Sequence, residues 1–365
     1  MSRKQYALKA LTINLMATYN KINEDELKVR KKALAEPVLP ERGDVLKGRY
    51  LVTGKWGCGS FGVVMKASDL QRNMKLVAVK IAKPKPSILE QAKVEETIWK
   101  QIEVSRQGQD CGIVSCVDIF DYKAVPCMVF EGMDQDVYER FIRPKKSRQI
   151  SALELQTLAR DMFTALEFLH RPTSPTHRTI IHCDVKPENI MVAFGPIPRF
   201  KLIDLGSACF QDHKMFSYIQ SRFYRAPEVL FQLPYDTSID VWSLGCVLWE
   251  LRYRSPLFEG QDEQGQQLHI LRRFGLPNAA TISKSPVLSR KYFEFRSQWR
   301  LRDEFAHLYV FPAAAPLTFI PDVPGGVPSV EDRLLDNLLL KLLSCNPDRR
   351  LTAFVALSDP FCRAP

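Results

Sequence analysis

Between Gly48 and Met133 the apolar residues come in short, β-branched runs: "YLVTG" (50–54), "GVVMKAS" (62–68), "KLVAVKIA" (75–82) and "CMVFE" (127–131). Runs of this length and make-up predict an antiparallel sheet. One helical stretch interrupts them, "EQAKVEETIWKQI" (90–102), with Ala92, Glu95, Ile98, Trp99 and Ile102 on neighbouring faces. From about Ser151 the period changes. Leu155, Leu158, Met162, Phe163, Leu166 and Leu169 form one helical stripe, and "SIDVWSLGCVLWEL" (238–251) is apolar nearly all round, as a buried central helix would be. The pattern predicts an α+β chain, with a small β-rich lobe over 46–133 and a larger helical lobe over 134–365. Their seam at "FEGMD" (130–134) is a natural cleft for a small molecule. Residues 277–330 carry many prolines and few periodic runs and read as an irregular insertion. Ahead of the sheet, 1–45 form a flanking segment with helical spacing at Leu8, Leu11, Leu15, Tyr19 and Ile22.

Composition narrows the class without changing the fold. The chain of 365 residues is 45% hydrophobic and 25% charged, ordinary for a soluble globular protein. Nine cysteines at irregular spacings, with no CxxC pair, suit a reducing compartment better than a disulfide scaffold. Lys9, Thr12 and Asn14 break the first apolar run, and "LLDNLLLKLLSC" (334–345) is short and interrupted by charge, so no leader and no membrane association are expected. These features predict a cytoplasmic or nuclear protein. Net charge is +10, and the first 50 residues hold 11 Lys/Arg against 6 Asp/Glu. The run "KVRKK" (28–32) is either a targeting or polyanion patch or a solvated helix end. Basic balance alone does not indicate nucleic acid, and no such partner is expected.

Four stretches carry candidate chemistry. In "GCGSFGVV", Gly57, Gly59 and Gly62 lie between two strand-like runs, not at the opening of a helix. That context argues against a dinucleotide fold. It suits a hairpin whose backbone N–H groups approach phosphates, or simply a glycine-rich turn. "VAVK" then puts Lys80 on a strand, where a buried ammonium needs a partner; Glu95, on the inward stripe of the next helix, is placed to be one. In "IIHCDVKPENIM" (180–191), Asp184 can accept a proton, Lys186 can stabilise a transferring phosphoryl group, and Asn189 offers oxygen to a hard cation such as Mg²⁺. "KLIDLGS" ends a strand on Asp204, a second oxygen ligand. Singly, each of these residues also serves as a loop cap or turn former.

Taken in order, G-x-G-x-x-G-x-V (Gly57, Gly59, Gly62, Val64), V-A-V-K (Ala78, Lys80), H-x-D-x-K-x-x-N (Asp184, Lys186, Asn189), D-x-G (Asp204, Gly206) and A-P-E (Ala226, Pro227, Glu228) resemble the eukaryotic protein kinase signature. "YIQSRFYRAPEVL" (218–230), "HCDVKPEN" and "PYDTSIDVWSLGC" are most similar to the dual-specificity tyrosine-phosphorylation-regulated kinases, with homeodomain-interacting and pre-mRNA-processing kinases as near relatives. The resemblance covers roughly 45–363. It implies a bilobal fold, ATP and Mg²⁺ as cofactors, and protein substrates modified on Ser or Thr, by analogy ahead of a proline. It also implies a monomer and an enzyme, the alternative being a pseudokinase scaffold. Catalysis would fall to Asp184, Lys186, Lys80 and Glu95. The nucleotide would meet Gly57, Gly59, Gly62, Val64, Ala78, Lys80, Phe130, Glu131 and Met133, with Asn189 and Asp204 on the metal. Asp240 would brace the catalytic loop and Glu228 would pair with Arg350.

Departures from the pattern sharpen the expectation. Many kinases place an arginine between the His and the Asp, where it grips an activating phosphate; here Cys183 stands there. The resemblance then implies autophosphorylation of Tyr218, its phosphate held by Arg222 and Arg225. The second tyrosine usual two positions earlier is Phe216. Leu205 replaces the phenylalanine of D-F-G, and "AEPVLPERGD" (35–44) replaces an acidic box. Cys183 and Cys209 should lie together, either as a redox pair or as two inert thiols.

Overall fold

The β-branched runs pair into one antiparallel sheet: β1 (Val45–Leu46), β2 (Tyr50–Cys58), β3 (Gly62–Asp69), β4 (Lys75–Ala82), β5 (Cys116–Tyr122) and β6 (Val125–Glu131), in the order β1-β2-β3-β4-β6-β5. The computed structural model describes residues 39–363 apart from Ser60, 144–147, 172–176, Phe194, 196–197, Met215, Leu276, 309–318 and 320–327. The amphipathic positions 8–22 and the basic run 28–32 lie outside the described residues.

Alternation along β4 sorts its side chains. Val77, Val79 and Ile81 join Val63, Met65, Cys127 and Val129 in a core on one face of the sheet, which leaves Ala78 and Lys80 on the other. Helix α1 (Pro86–Arg106) packs on the sheet, presenting a buried row of Gln91, Ala92, Glu95, Ile98, Trp99 and Ile102. Its Pro86 sits at the helix start, where the missing N–H has no partner to lose.

The second lobe is helical. Helix α2 (Ala152–His170) opens on a capping box, Ser151 Oγ accepting from Glu154 N while the Glu154 carboxylate reaches back to Ser151 N. Two small ribbons follow, β7 (Ile180–Ile181) with β10 (Cys209–Phe210) and β8 (Ile190–Val192) with β9 (Phe200–Leu202). Beyond α3 (Pro227–Leu230), helix α4 (Ser238–Tyr253) runs through the centre, with twelve of its residues buried. Then come α5 (Glu263–Phe274), α6 (Ala279–Lys284), the hairpin β11 (Phe293–Phe295) and β12 (Trp299–Leu301), α7 (Val330–Leu342), α8 (Ala353–Ala356) and α9 (Pro360–Arg363). Within 277–330, α6 and the hairpin are pieces too short for a periodic signal, yet buried Ile282, Tyr292 and Phe293 seat them on the helical core. One apolar cluster continues from α1 through α2 and α4 to α7, so the lobes share a core beneath the cleft.

Candidate active site

The cleft between the lobes encloses a cavity of about 550 Å³. Its roof is the β2–β3 hairpin with Gly57, Gly59, Gly62 and Val64; Ala78, Lys80, Phe130, Glu131, Met133 and Asp204 line the rest, so ten residues picked from sequence share one wall. The glycines differ in what they permit. A Cβ on Gly62 would come within 2.4 Å of the Ile81 carbonyl, so strand packing requires glycine there. A Cβ on Gly57 or Gly59 would meet nothing within 4 Å, which leaves their backbone open to an approaching group. Trp56, Met191 and Ile203 also line the cavity and were not singled out from sequence. Trp56 sits where the β2–β3 register slips between Lys55 and Gly57, and such a bulge re-aims a side chain in a way no residue pattern announces.

Behind the cavity, Lys80 Nζ lies 2.7 Å from Glu95 Oε1 and 2.7 Å from Asp204 Oδ1. Burial works against the ammonium's charge, but the two carboxylates outweigh it and hold the group above the usual lysine range. Burial likewise disfavours the Asp204 carboxylate; the Lys80 charge and hydrogen bond prevail and hold it at about 2. Glu131 Oε1 accepts from Ser115 N and from Lys201 Nζ, fixing the connector between the lobes. Leu205 is buried in the shared core.

Asp184 is held by four donors. Oδ1 accepts from Ser221 N (3.1 Å) and Ser221 Oγ (2.7 Å), and Oδ2 from Lys186 Nζ (2.7 Å) and Asn189 Nδ2 (3.2 Å). Asn189 Nδ2 also donates to the Asp184 carbonyl at 2.8 Å. The loop itself is strained at Cys183 (φ 64°), which occupies the left-handed region, as does Asp204 (φ 60°) on the neighbouring segment after β9. A brace offsets that strain: Asp240, fully buried on α4, accepts from the backbone N–H of His182 (2.8 Å) and Cys183 (3.0 Å). His182 Nδ1 accepts from Asp184 N and Nε2 faces the Ile203 carbonyl at 3.0 Å, so the ring carries its proton on Nε2. The Cys183 and Cys209 sulfurs are 3.8 Å apart, both free thiols and both buried. Ser221 escaped the sequence reading because nothing local distinguishes a serine that folds back 37 residues from one that is merely exposed.

Of the regulatory candidates, Tyr218 is 67% exposed, and the Arg225 guanidinium stacks on its ring at 4.2 Å. Arg225 is buried; its Nε and Nη2 donate to the Ile219 and Gln220 carbonyls, while Nη1 has no partner. Arg222 instead donates to the Gln261 carbonyl at 2.5 Å. Nearby, Tyr224 Oη donates to Glu250 Oε2 at 2.6 Å. Burial, against the pull of that bond and reinforced by Glu188 and Glu259, pushes the Glu250 carboxyl up to about 7. Between its ordinary value and pH 7 the folded chain therefore keeps a proton that the unfolded chain has lost, and stability falls as pH rises through that window. Glu250→Gln is expected to remove the slope and to gain about 3 kcal/mol over the wild type at pH 8 relative to pH 4.5. Urea unfolding at the two pH values reads this directly, and a pH-independent difference would show Glu250 to be an ordinary carboxylate.

The family model described as "Protein kinase domain" matches residues 50–362. Among curated relatives, the chain is 33% identical over 318 residues to "Dual specificity tyrosine-phosphorylation-regulated kinase 2" of Drosophila melanogaster, covering 87% of this chain and 42% of that protein. It is 36% identical over 260 residues to "DYRK-family kinase pom1" of Schizosaccharomyces pombe, covering 71% and 23%. To "Serine/threonine-protein kinase ppk5" of the same yeast it is 35% identical over 253 residues, covering 69% and 29%. The chain thus spans less than half the length of each of these relatives.

Proposed function

Because this chain belongs to the protein kinase family, and within it to the dual-specificity tyrosine-phosphorylation-regulated kinases, we propose that it is an active enzyme. It transfers the γ-phosphoryl group of ATP to Ser and Thr hydroxyls of proteins and phosphorylates its own Tyr218 during maturation. The observation that carries this reading is the complete polar set around one cleft: Lys80 clamped between Glu95 and Asp204, and Asp184 held by Lys186, Asn189 and Ser221. A scaffold has no use for all of these groups together.

The residues fit both implied groups. A cavity of about 550 Å³ with Ala78, Val64 and Phe130 in its wall has the size and apolar surface a purine needs. Among the described residues no cluster of three or more His, Cys, Asp or Glu can hold a metal. Mg²⁺ in phosphoryl-transfer sites uses one or two protein oxygens and takes the rest from phosphate and water, so Asn189 and Asp204 would suffice. Bound there, the ion would neutralise phosphate charge. Lys80 would hold the phosphates from the sheet side and Lys186 the transferring group from the loop side. Asp184 would orient the substrate hydroxyl and take its proton.

Tyr218 stands exposed over Arg225, whose unpartnered Nη1 would supply a charge-assisted donor to a phosphate on that ring. Arg222 would join after releasing the Gln261 carbonyl. A proline after the target residue, action as a monomer and residence in cytoplasm or nucleus belong to the same proposal. So does the expectation of neither nucleic-acid nor membrane partners; no described helix is long and apolar enough to cross a membrane.

The test is phosphate transfer from Mg-ATP to a generic basic protein and a peptide array, with the intact mass of the Tyr218 peptide read in parallel. Transfer to Ser or Thr, with one phosphate on Tyr218 and activity lowered at least about tenfold in Tyr218→Phe, is the expected result. No transfer by the wild type would leave a scaffold. Full activity with Tyr218 unmodified would remove the switch but not the enzyme.

A further inference from the structure

Resting on the reading of the cleft as a phosphoryl-transfer site, we propose that Tyr235 is a positioning residue for the protein substrate. With Lys214 it clasps the segment that presents the Phe216 ring, and that ring forms a lip on which an apolar side chain of the substrate rests. The segment lies between two fixed points. Upstream, Cys209 and Phe210 pair with β7, Gln211 N donates to the Thr179 carbonyl at 2.9 Å, and His213 N to the Phe210 carbonyl at 2.9 Å. Downstream, Ile219 and Gln220 are buried, and both their carbonyls accept from Arg225. In between, Phe216 is 50% exposed and Tyr218 67%. Rings left this open gain little from burial, so the conformation there depends on polar contacts.

Tyr235 supplies three of them. Its Oη donates to the Phe216 carbonyl at 2.9 Å. Lys214 Nζ donates to the Tyr235 carbonyl and lies over the Tyr235 ring, 4.7 Å from its centroid. The base of the clasp is firm. The Tyr235 ring is half-buried against the apolar core, and Leu233 N, two residues earlier, donates to the Glu228 carbonyl at 2.7 Å. Asp236, next in the chain, turns it into α4 by accepting from Ser238 N at 2.9 Å. Burial, reinforced by the neighbouring Cys209 and Cys183, holds the phenol above its usual range, so the hydroxyl keeps the proton it donates.

Position gives the clasp its meaning. Ser221, five residues beyond Phe216, bonds to Asp184, where the substrate hydroxyl would sit. Five residues of chain span at most about 18 Å, so a peptide running on from the target hydroxyl meets the Phe216 ring. Phe216 carries no hydroxyl, and its ring offers an apolar surface alone, which fits an apolar side chain. The clasp does not govern the catalytic loop as well. Gln220 stands between them with its own anchors, Nε2 donating to the Ile239 carbonyl and Ser243 Oγ while Oε1 accepts from Ala226 N. Loosening 214–218 therefore leaves Ser221 in place on Asp184.

Tyr235→Phe keeps the packed ring and removes the Oη bond; Phe216→Ser removes the lip itself. Each is expected to raise the KM for a peptide substrate about fivefold, the scale of one neutral hydrogen bond, with kcat and the KM for ATP within about twofold of wild type. Because Tyr235 acts through Phe216, adding Tyr235→Phe to Phe216→Ser should change the peptide KM less than about twofold. Replacing the peptide's apolar residues by serine should erase the difference between wild type and Phe216→Ser. Wild-type KM in either single variant, a fall in kcat instead, or a difference that survives in the serine peptide overturns the proposal. So do equal effects of Tyr235→Phe in the two backgrounds. A wild type that transfers no phosphate would sink the functional reading alone. The clasp is then read by limited chymotrypsin digestion, where cleavage after Phe216 must be at least about fivefold faster in Tyr235→Phe than in the wild type. Equal cleavage rates overturn it.

Discussion

Replacing Asp184 by asparagine is expected to cut turnover at least about a hundredfold while nucleotide affinity stays within about twofold. The size of the effect follows from the hydrogen bonds around the group. All four neighbours of the carboxylate are donors: Ser221 N and Oγ on one oxygen, Lys186 Nζ and Asn189 Nδ2 on the other. An amide cannot satisfy them. With its NH₂ toward Ser221 it faces a backbone N–H that cannot turn away, and with its NH₂ toward Lys186 it faces an ammonium that has nothing to accept with. The substitution would therefore remove the proposed proton acceptor and also the carboxylate that holds Lys186, which the phosphoryl group would need. Steady-state kinetics with a peptide substrate, beside nucleotide titration and a thermal melt, separate these effects. Near wild-type turnover in a folded variant would take the proton-accepting role away from Asp184.

The second large effect is structural. Arg350 and Glu228 form a two-pronged pair, Nη1 to Oε1 at 2.7 Å and Nη2 to Oε2 at 3.0 Å, with both side chains almost wholly buried. Arg350 also donates to the Ser238 and Ser344 carbonyls and lies over the Trp242 ring. It thus joins the segment ending at α3 to the start of α4 and to the turn after α7. Arg350→Met would leave an uncompensated carboxylate in the core and is expected to cost about 3–5 kcal/mol, a large part of the folding free energy of an ordinary domain. Adding Glu228→Gln to that variant should recover part of the loss, because it removes the stranded charge. Urea denaturation measures both, and a loss below about 1 kcal/mol would mean that the site relaxes to admit water.

Much of this was legible in the chain because the chemistry is carried by short stretches whose internal spacing survives folding. Lys80 could be assigned to the cleft face from the alternation of "KLVAVKIA" alone, and Glu95 from the inward stripe of its helix; the 2.7 Å contact between them follows. The asparagine and aspartate proposed for the metal were readable for the same reason. Ser221 was not, since it acquires its partner, Asp184, through a backbone path that no local pattern records. Arg222 and Arg225 show the limit within a single motif. Three residues apart in sequence, they lie in different surroundings, one bonded to the Gln261 carbonyl and the other buried beneath Tyr218.

What the sequence by itself determined is the inventory and its order: a β-rich lobe ahead of a helical one, a glycine hairpin, a lysine with a helical glutamate, and a loop bearing aspartate, lysine and asparagine. Period and spacing are local properties, and they suffice to name the elements and the groups upon them. Only the tertiary structure decided how those groups are held. Four donors converge on Asp184, Asp240 steadies a loop that carries Cys183 in a strained conformation, and Arg225 lies beneath the tyrosine ring. The physical reason is that orientation in a buried polar site is set by the sum of its hydrogen-bond partners, and those partners come from segments that meet only when the apolar core beneath the cleft has closed.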